Sequence, residues 1–171
     1  MLGHDGDGQV SQPSGRKLKS ISAGYFLACG RKPNEKPVCW GVGSEGQLSI
    51  NNLKSRFRQL AAGYGHVCGI KLNRKPACRG DNTYGQSTPP NRKFRRIHPG
   101  MLVTCGHLPD LKVKCWGSDD ELIVSTAPKS KLHSMSMDAY GKLACGVRKN
   151  KRTVVCWGDN FEGFSVPPSL R

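Results

Sequence analysis

The sequence predicts an all-β fold, a partial β-propeller of about four small antiparallel blades with one intra-blade disulfide each. Three observations carry this. Eight cysteines fall into four pairs along the chain: Cys29 with Cys39, Cys68 with Cys78, Cys105 with Cys115, and Cys145 with Cys156. The first cysteines of successive pairs stand 39, 37 and 40 positions apart, and a period of that size marks an array of supersecondary units. The composition, with 21 Gly, 11 Pro and only 36% hydrophobic residues, suits short strands and many turns better than helices.

Residues 1–19 stand outside the repeat, and their Gly, Ser, Asp and Gln content predicts a flexible tail. Four repeats follow, at 20–56, 57–93, 94–131 and 132–169. The first reads Ile21-Ser-Ala-Gly24-Tyr25, then Cys29-Gly30, Cys39-Trp40-Gly41 and Gly46-Gln47. The second reads Leu60-Ala-Ala-Gly63-Tyr64-Gly-His66-Val-Cys68-Gly69, then Cys78-Arg79-Gly80-Asp81-Asn82 and Gly85-Gln86. The third has Ile97-His-Pro-Gly100-Met101, Cys105-Gly106 and Cys115-Trp116-Gly117, without a later Gly-Gln. The fourth has Met137-Asp-Ala-Tyr140-Gly141, Cys145-Gly146, Cys156-Trp157-Gly158 and later Gly163 and Pro167-Pro168.

Within a unit the pattern predicts three strands. The apolar residue eight before the first cysteine (Ile21, Leu60, Ile97, Met137) opens strand one. Strands two and three carry the first and second cysteine, joined by a polar hairpin tip such as Arg31-Lys-Pro-Asn-Glu-Lys36. Side chains alternate along a strand, so Val38 and Trp40 share one face and Cys39 takes the other. Phe57 and Phe94 are expected to face inward. One such unit cannot bury both of its faces, whereas stacked neighbours can. Between a solenoid and a propeller, short glycine-rich strands without a helical period favour the radial stack.

The cysteines are read as local disulfides in a framework formed outside the reducing cytosol. Free buried thiols remain the alternative. Metal is not expected: zinc-binding pairs have two to four intervening residues, and these have nine or ten. The net charge of +15 favours acidic partners or a solvated basic surface. It concentrates between repeats in Lys54-Ser-Arg56-Phe-Arg58 and Arg92-Lys93-Phe-Arg95-Arg96. No apolar run approaches the ~20 residues of a membrane span. The first residues also lack a secretory leader's pattern, so the chain is expected to be a fragment of a longer protein.

The second repeat, from Leu60-Ala-Ala-Gly-Tyr-Gly-His66 to Gly-Asp-Asn-Thr-Tyr-Gly-Gln86, resembles the repeat of the regulator of chromosome condensation propellers. With its Cys-Gly and Cys-Trp-Gly pattern, the chain looks within that group like the ectodomain of the Crinkly-type plant receptor-like kinases. The resemblance covers about residues 19–169. It implies a protein-binding, cell-surface role in a protein that continues into a membrane span and kinase domain. Such propellers usually have seven blades and four are counted here. Arg79 in place of tryptophan, and the lost Gly-Gln of the third repeat, predict distortion of those blades.

Exposed aromatics are typical interface anchors. The loop between strands one and two places Tyr25, Tyr64 and Met101 at one repeat position, with His66 two residues after Tyr64. These four are the candidate partner-binding residues, and edge covering is the competing role. Trp40, Trp116 and Trp157 are read as inter-blade packing rather than a binding strip. No P-loop, nucleophile elbow, kinase signature or dinucleotide fingerprint is present, so neither catalysis nor a cofactor is expected. The expected partner is a protein or peptide ligand, another receptor ectodomain among them. Nucleic acid is not favoured. The competing reading is a soluble cytoplasmic or nuclear propeller that regulates a small GTPase or binds chromatin.

Overall fold

The structure is a computed structural model, and it describes residues 17–150 and 152–159 together with Gly6 and Gly8. Most of the expected 1–19 tail, and Gly163 and Pro167-Pro168 of the fourth repeat, lie outside the described residues. Strands β1 (Ser20–Ala23), β2 (Leu27–Arg31) and β3 (Pro37–Gly41) form the first sheet, and a 3-10 helix, Gln47–Asn52, follows it. β4 (Phe57–Ala62), β5 (His66–Lys71) and β6 (Pro76–Gly80) form the second. β7 (Arg96–Pro99), β8 (Val103–His107) and β9 (Val113–Gly117) form the third. β10 (Leu132–Met137), β11 (Leu143–Arg148) and β12 (Val154–Gly158) form the fourth. Each sheet is antiparallel in chain order, one blade per repeat.

The register explains the cysteine spacing. Cys29 lies opposite Cys39, Cys68 opposite Cys78, Cys105 opposite Cys115 and Cys145 opposite Cys156. All four pairs are disulfides within their own blade. The Cys-Gly dipeptide also has a steric reason. A Cβ on Gly69 would stand 2.5 Å from the Phe57 ring, and one on Gly106 2.5 Å from the Phe94 ring. Leu18 and Leu132 fill the same place over Gly30 and Gly146. Glycine at that position therefore makes the seat for a large apolar residue entering each blade.

Three apolar cores lie between blades. Cys29 and Cys39 face Phe57, Leu60 and Val67 of the second blade. Cys68 and Cys78 face Phe94, Ile97 and Trp116 of the third. Cys105 and Cys115 face Leu132, Met135, Ala144 and Trp157 of the fourth. Trp116 and Trp157 are thus packing residues, each buried against the preceding blade, while Trp40 is half-buried. Phe57 and Phe94 are fully buried, Phe94 just ahead of β7.

Two sequence expectations need correction. Strand one opens before the marked apolar residue, and Met137 is not the fourth repeat's equivalent of Ile21, Leu60 and Ile97. Those three lie opposite the Cys-Gly glycine, whereas in the fourth blade Met135 lies opposite Gly146. The cause is a longer loop: Ala23 pairs with Ala28, but Met137 pairs with Ala144. Nor do the motif losses break the second and third blades: each keeps three paired strands, and the one register shift, between Phe57 and Gln59, recurs between Leu132 and Ser134 in the fourth blade. Where the third repeat lacks Gly-Gln, Leu122 adopts a left-handed φ of 56°, in the region where Gly46 and Gly85 stand at 78° and 81°. Ile123 then fills the buried site of Gln47 and Gln86. Each of these three side chains packs on the glycine after the next blade's second cysteine, respectively Gly158, Gly80 and Gly117. An apolar plug replaces a hydrogen-bonded one, so the turn survives.

Candidate partner-binding rim

The loops from the first to the second strand of each blade gather at one end of the stack. Hydrogen bonds between successive blades fix them there. The Tyr25 N–H donates to the Gly63 carbonyl (3.2 Å), the Tyr64 N–H to the Gly100 carbonyl (3.1 Å) and the Met101 N–H to the Tyr140 carbonyl (3.4 Å). Approach this close leaves no room for a Cβ. One on Gly63 would stand 2.5 Å from the Gly100 oxygen, which is why glycine precedes the rim residue in the first three blades.

In the first two blades the side chains that follow these glycines form an aromatic cluster with Phe26 and Tyr140. Tyr25 and Tyr64 stack with ring centroids 4.5 Å apart. Phe26 meets Tyr25 edge-on at 4.3 Å, and Tyr140 lies 6.3 Å from Tyr25 across the rim. Tyr25 and Tyr140 remain 47% and 48% exposed. Tyr25 pushes the Tyr140 hydroxyl pKa upward, by its charge and by hydrogen bonding. A recess of about 360 Å³ opens beside the cluster, lined among others by Tyr25, Tyr64, Pro99, Met137 and Asp138. Below it, the first strands surround a second space of about 380 Å³, with Ser22, Arg58, Gln59 and His98 on its wall.

No family model matches the chain. A serine/threonine-protein kinase-like protein of Arabidopsis thaliana, CCR4, is 36% identical over 67 residues, 39% of this chain and 8% of that protein. The ectodomain of the Physcomitrella patens receptor kinase CR4 superposes with a TM-score of 0.73 at 25% identity, covering 84% of this chain and 42% of that one. The Crinkly ectodomain of the Arabidopsis thaliana receptor kinase ACR4 gives 0.74 at 22%, covering 87% and 58%. The chain resembles the Crinkly-type receptor ectodomains. The blade fold is that of the wider regulator of chromosome condensation group: yeast Prp20, solved bound to Kap60, superposes with a TM-score of 0.71 at 16% identity over 87% of this chain and 45% of that one. The chain thus spans less than two thirds of each of these relatives.

On this rim the structure brings Tyr25 and Tyr64 together, places Met101 beside Tyr140 in a neighbouring recess, and leaves His66 out. His66 is fully buried between the second and third blades. Its Nε2 lies 2.7 Å from the Thr104 hydroxyl, and burial pushes its pKa down to about 4 despite the opposing charge of Asp81. It is a neutral packing histidine, because its position starts a strand and the ring points into the blade interface. Sequence reasoning also missed Tyr140 as a rim residue. The longer fourth loop carries it to the cluster, and its sequence signal was a tyrosine one position out of repeat register.

Proposed function

We propose that this chain is a non-catalytic, protein-binding segment of an extracellular propeller, recognising a peptide or another receptor ectodomain through the rim. The observation that carries the reading is the convergence of Tyr25, Tyr64 and Tyr140, from three separate blades, on one aromatic cluster, with Tyr25 and Tyr64 lining the recess beside it. Tyrosine offers a large, rigid contact surface with a polar tip, and such residues dominate interface energetics. Four intra-blade disulfides support the extracellular placement, since such bonds persist outside the reducing cytosol.

The test compares two variant pairs in binding to a panel of extracellular peptides and ectodomains at physiological salt. Tyr25→Ala with Tyr64→Ala should weaken the selected ligand about ten-fold or more, given ~1–2 kcal/mol for each anchor. Arg95→Ser with Arg96→Ser, at the opposite end of the stack, should leave that affinity essentially unchanged, because screening at this salt confines exposed charge to about 8 Å. If the arginine pair abolishes binding and the tyrosine pair leaves it intact, the rim is not the site. The competing intracellular reading requires eight free thiols in native protein, and thiol titration without reductant decides that point.

A further inference from the structure

The four hairpin tips lie together at the end opposite the rim. Each tip turns through a left-handed residue, respectively Glu35, Arg74, Leu111 and Arg152. In the first three blades that residue's carbonyl accepts a hydrogen bond from the residue entering the next blade: Phe57 at 2.8 Å, Phe94 at 2.9 Å and Leu132 at 2.8 Å. The tips and the entering segments are thereby locked into one continuous surface across four blades.

That surface is predominantly basic. Lys36, Lys75, Lys112 and Lys149 lie on the tips, and Arg58, Arg96 and Lys131 on the entering strands or just before them, all exposed. The carboxylates at this end, among the described residues, are Glu35 and Asp110. Glu35 is already engaged by Lys19 at 2.5 Å and Arg31 at 2.7 Å. The rim end has the opposite balance, with Glu45, Asp81, Asp119, Asp120, Glu121 and Asp138 in its loops. What reads as a net charge spread along the chain is sorted in space, because hairpin tips and blade entries recur at one end of every blade.

We infer that the tip end is a second binding surface, and that it takes an anionic polysaccharide bearing carboxylate or sulfate groups. The cations are spread over four blades instead of converging on a pocket, which fits a long polyanion better than a small one. Exposed aromatics are absent from this end among the described residues: Tyr25, Tyr84 and Tyr140 all sit in loops of the rim end. The aromatic anchors of a protein interface and the stacking platforms of a single-stranded nucleic acid are therefore missing, and Leu72 is the large apolar side chain exposed on the second tip. The choice of a polysaccharide over nucleic acid rests on the extracellular reading above.

The experiment measures retention of the disulfide-intact chain on immobilised polygalacturonate and on heparin, against double-stranded DNA, across a salt series. At 150 mM NaCl one or both polysaccharides should bind, with log affinity falling linearly with log salt as counterions are released. Polygalacturonate alone would identify carboxylate as the recognised group, and heparin alone sulfate. The variant Lys75→Ser, Lys112→Ser, Lys131→Ser, Lys149→Ser should lose roughly ten-fold or more, since screening confines charge effects to about 8 Å at that salt. Arg79→Glu with Lys142→Glu lowers the net charge equally at the rim end and should leave retention unchanged. Equal losses in both variants, DNA binding at least as tight, or no retention at 150 mM NaCl would each overturn the inference. Tyr25→Ala with Tyr64→Ala should not alter retention, so failure of the rim reading is seen separately.

Discussion

The Nε2 of His66 in the second blade stands 2.7 Å from the hydroxyl of Thr104 in the third. That hydroxyl donates in turn to the Gln86 carbonyl at 3.0 Å, so the histidine supplies the N–H to it. Trp116 Nε1–H donates to the same carbonyl at 3.0 Å. Gln86 itself is satisfied, its Nε2 donating to Asp81 at 2.8 Å and its Oε1 accepting from the Tyr84 N–H at 2.9 Å. A buried polar network thus joins the second and third blades. The fourth blade has Ala144 at the position of Thr104, and there the Trp157 Nε1–H has no hydrogen-bond partner among the described residues.

Thr104→Val should therefore destabilise the chain by about 1–3 kcal/mol, because it leaves His66 Nε2 buried and unpaired. Thr104→Ser should recover most of the loss. Urea denaturation of both variants checks this, and equal losses would show that the methyl group matters as much as the hydroxyl.

Gly69→Ala should cost about 1–3 kcal/mol through overpacking against Phe57. Phe57→Leu in the same chain should recover part of that, since leucine occupies the equivalent place in the first and fourth blades. A double variant no more stable than Gly69→Ala would contradict the steric account of the Cys-Gly motif.

Stability should fall as pH drops from about 6.5 toward 4. Burial lowers the pKa of His66, His98 and His107 to about 4 each. Asp81 opposes the shift at His66, Arg96 adds to it at His98, and His98, Arg96 and Arg95 add to it at His107. The unfolded chain, with histidines near 6.5, binds more protons across this window, so protonation favours unfolding there. Melting curves between pH 7 and 4 check the slope; a flat profile would mean that these rings are not held neutral.

The two disulfides Cys68–Cys78 and Cys145–Cys156 close loops of nearly equal length, 10 and 11 residues in sequence separation. Chain entropy then assigns each roughly 2–3 kcal/mol. Replacing both cysteines by serine should nevertheless cost more at 68 and 78, where burial is 0% and 3% exposed, than at the half-buried outer pair. The comparison is made by thermal melting of the two double variants.

Ile21 is 64% exposed, whereas its equivalents Leu60, Ile97 and Met135 are 6%, 0% and 8% exposed in blades that have a preceding neighbour. Apolar surface of this kind favours association. Light scattering should show self-association of the chain, reduced by Ile21→Lys with little change in melting temperature.

The sequence by itself determined the blade. Cysteine spacing placed two strands face to face, Gly and Pro marked the turns, and recurrence through the chain required stacked units, because these signals are local and repeat every blade. Tertiary structure decided how the blades meet. His66 and Tyr64 are two residues apart, yet one is sealed against Thr104 and the other lies on the rim, since a strand begins between them and alternation takes over. Tyr140 joins Tyr25 only because four stacked blades bring their loops around one centre. Lysines scattered along the chain become one face because every hairpin tip points the same way. Burial and charge separation of this kind depend on distances between repeats, and one-dimensional spacing does not contain them.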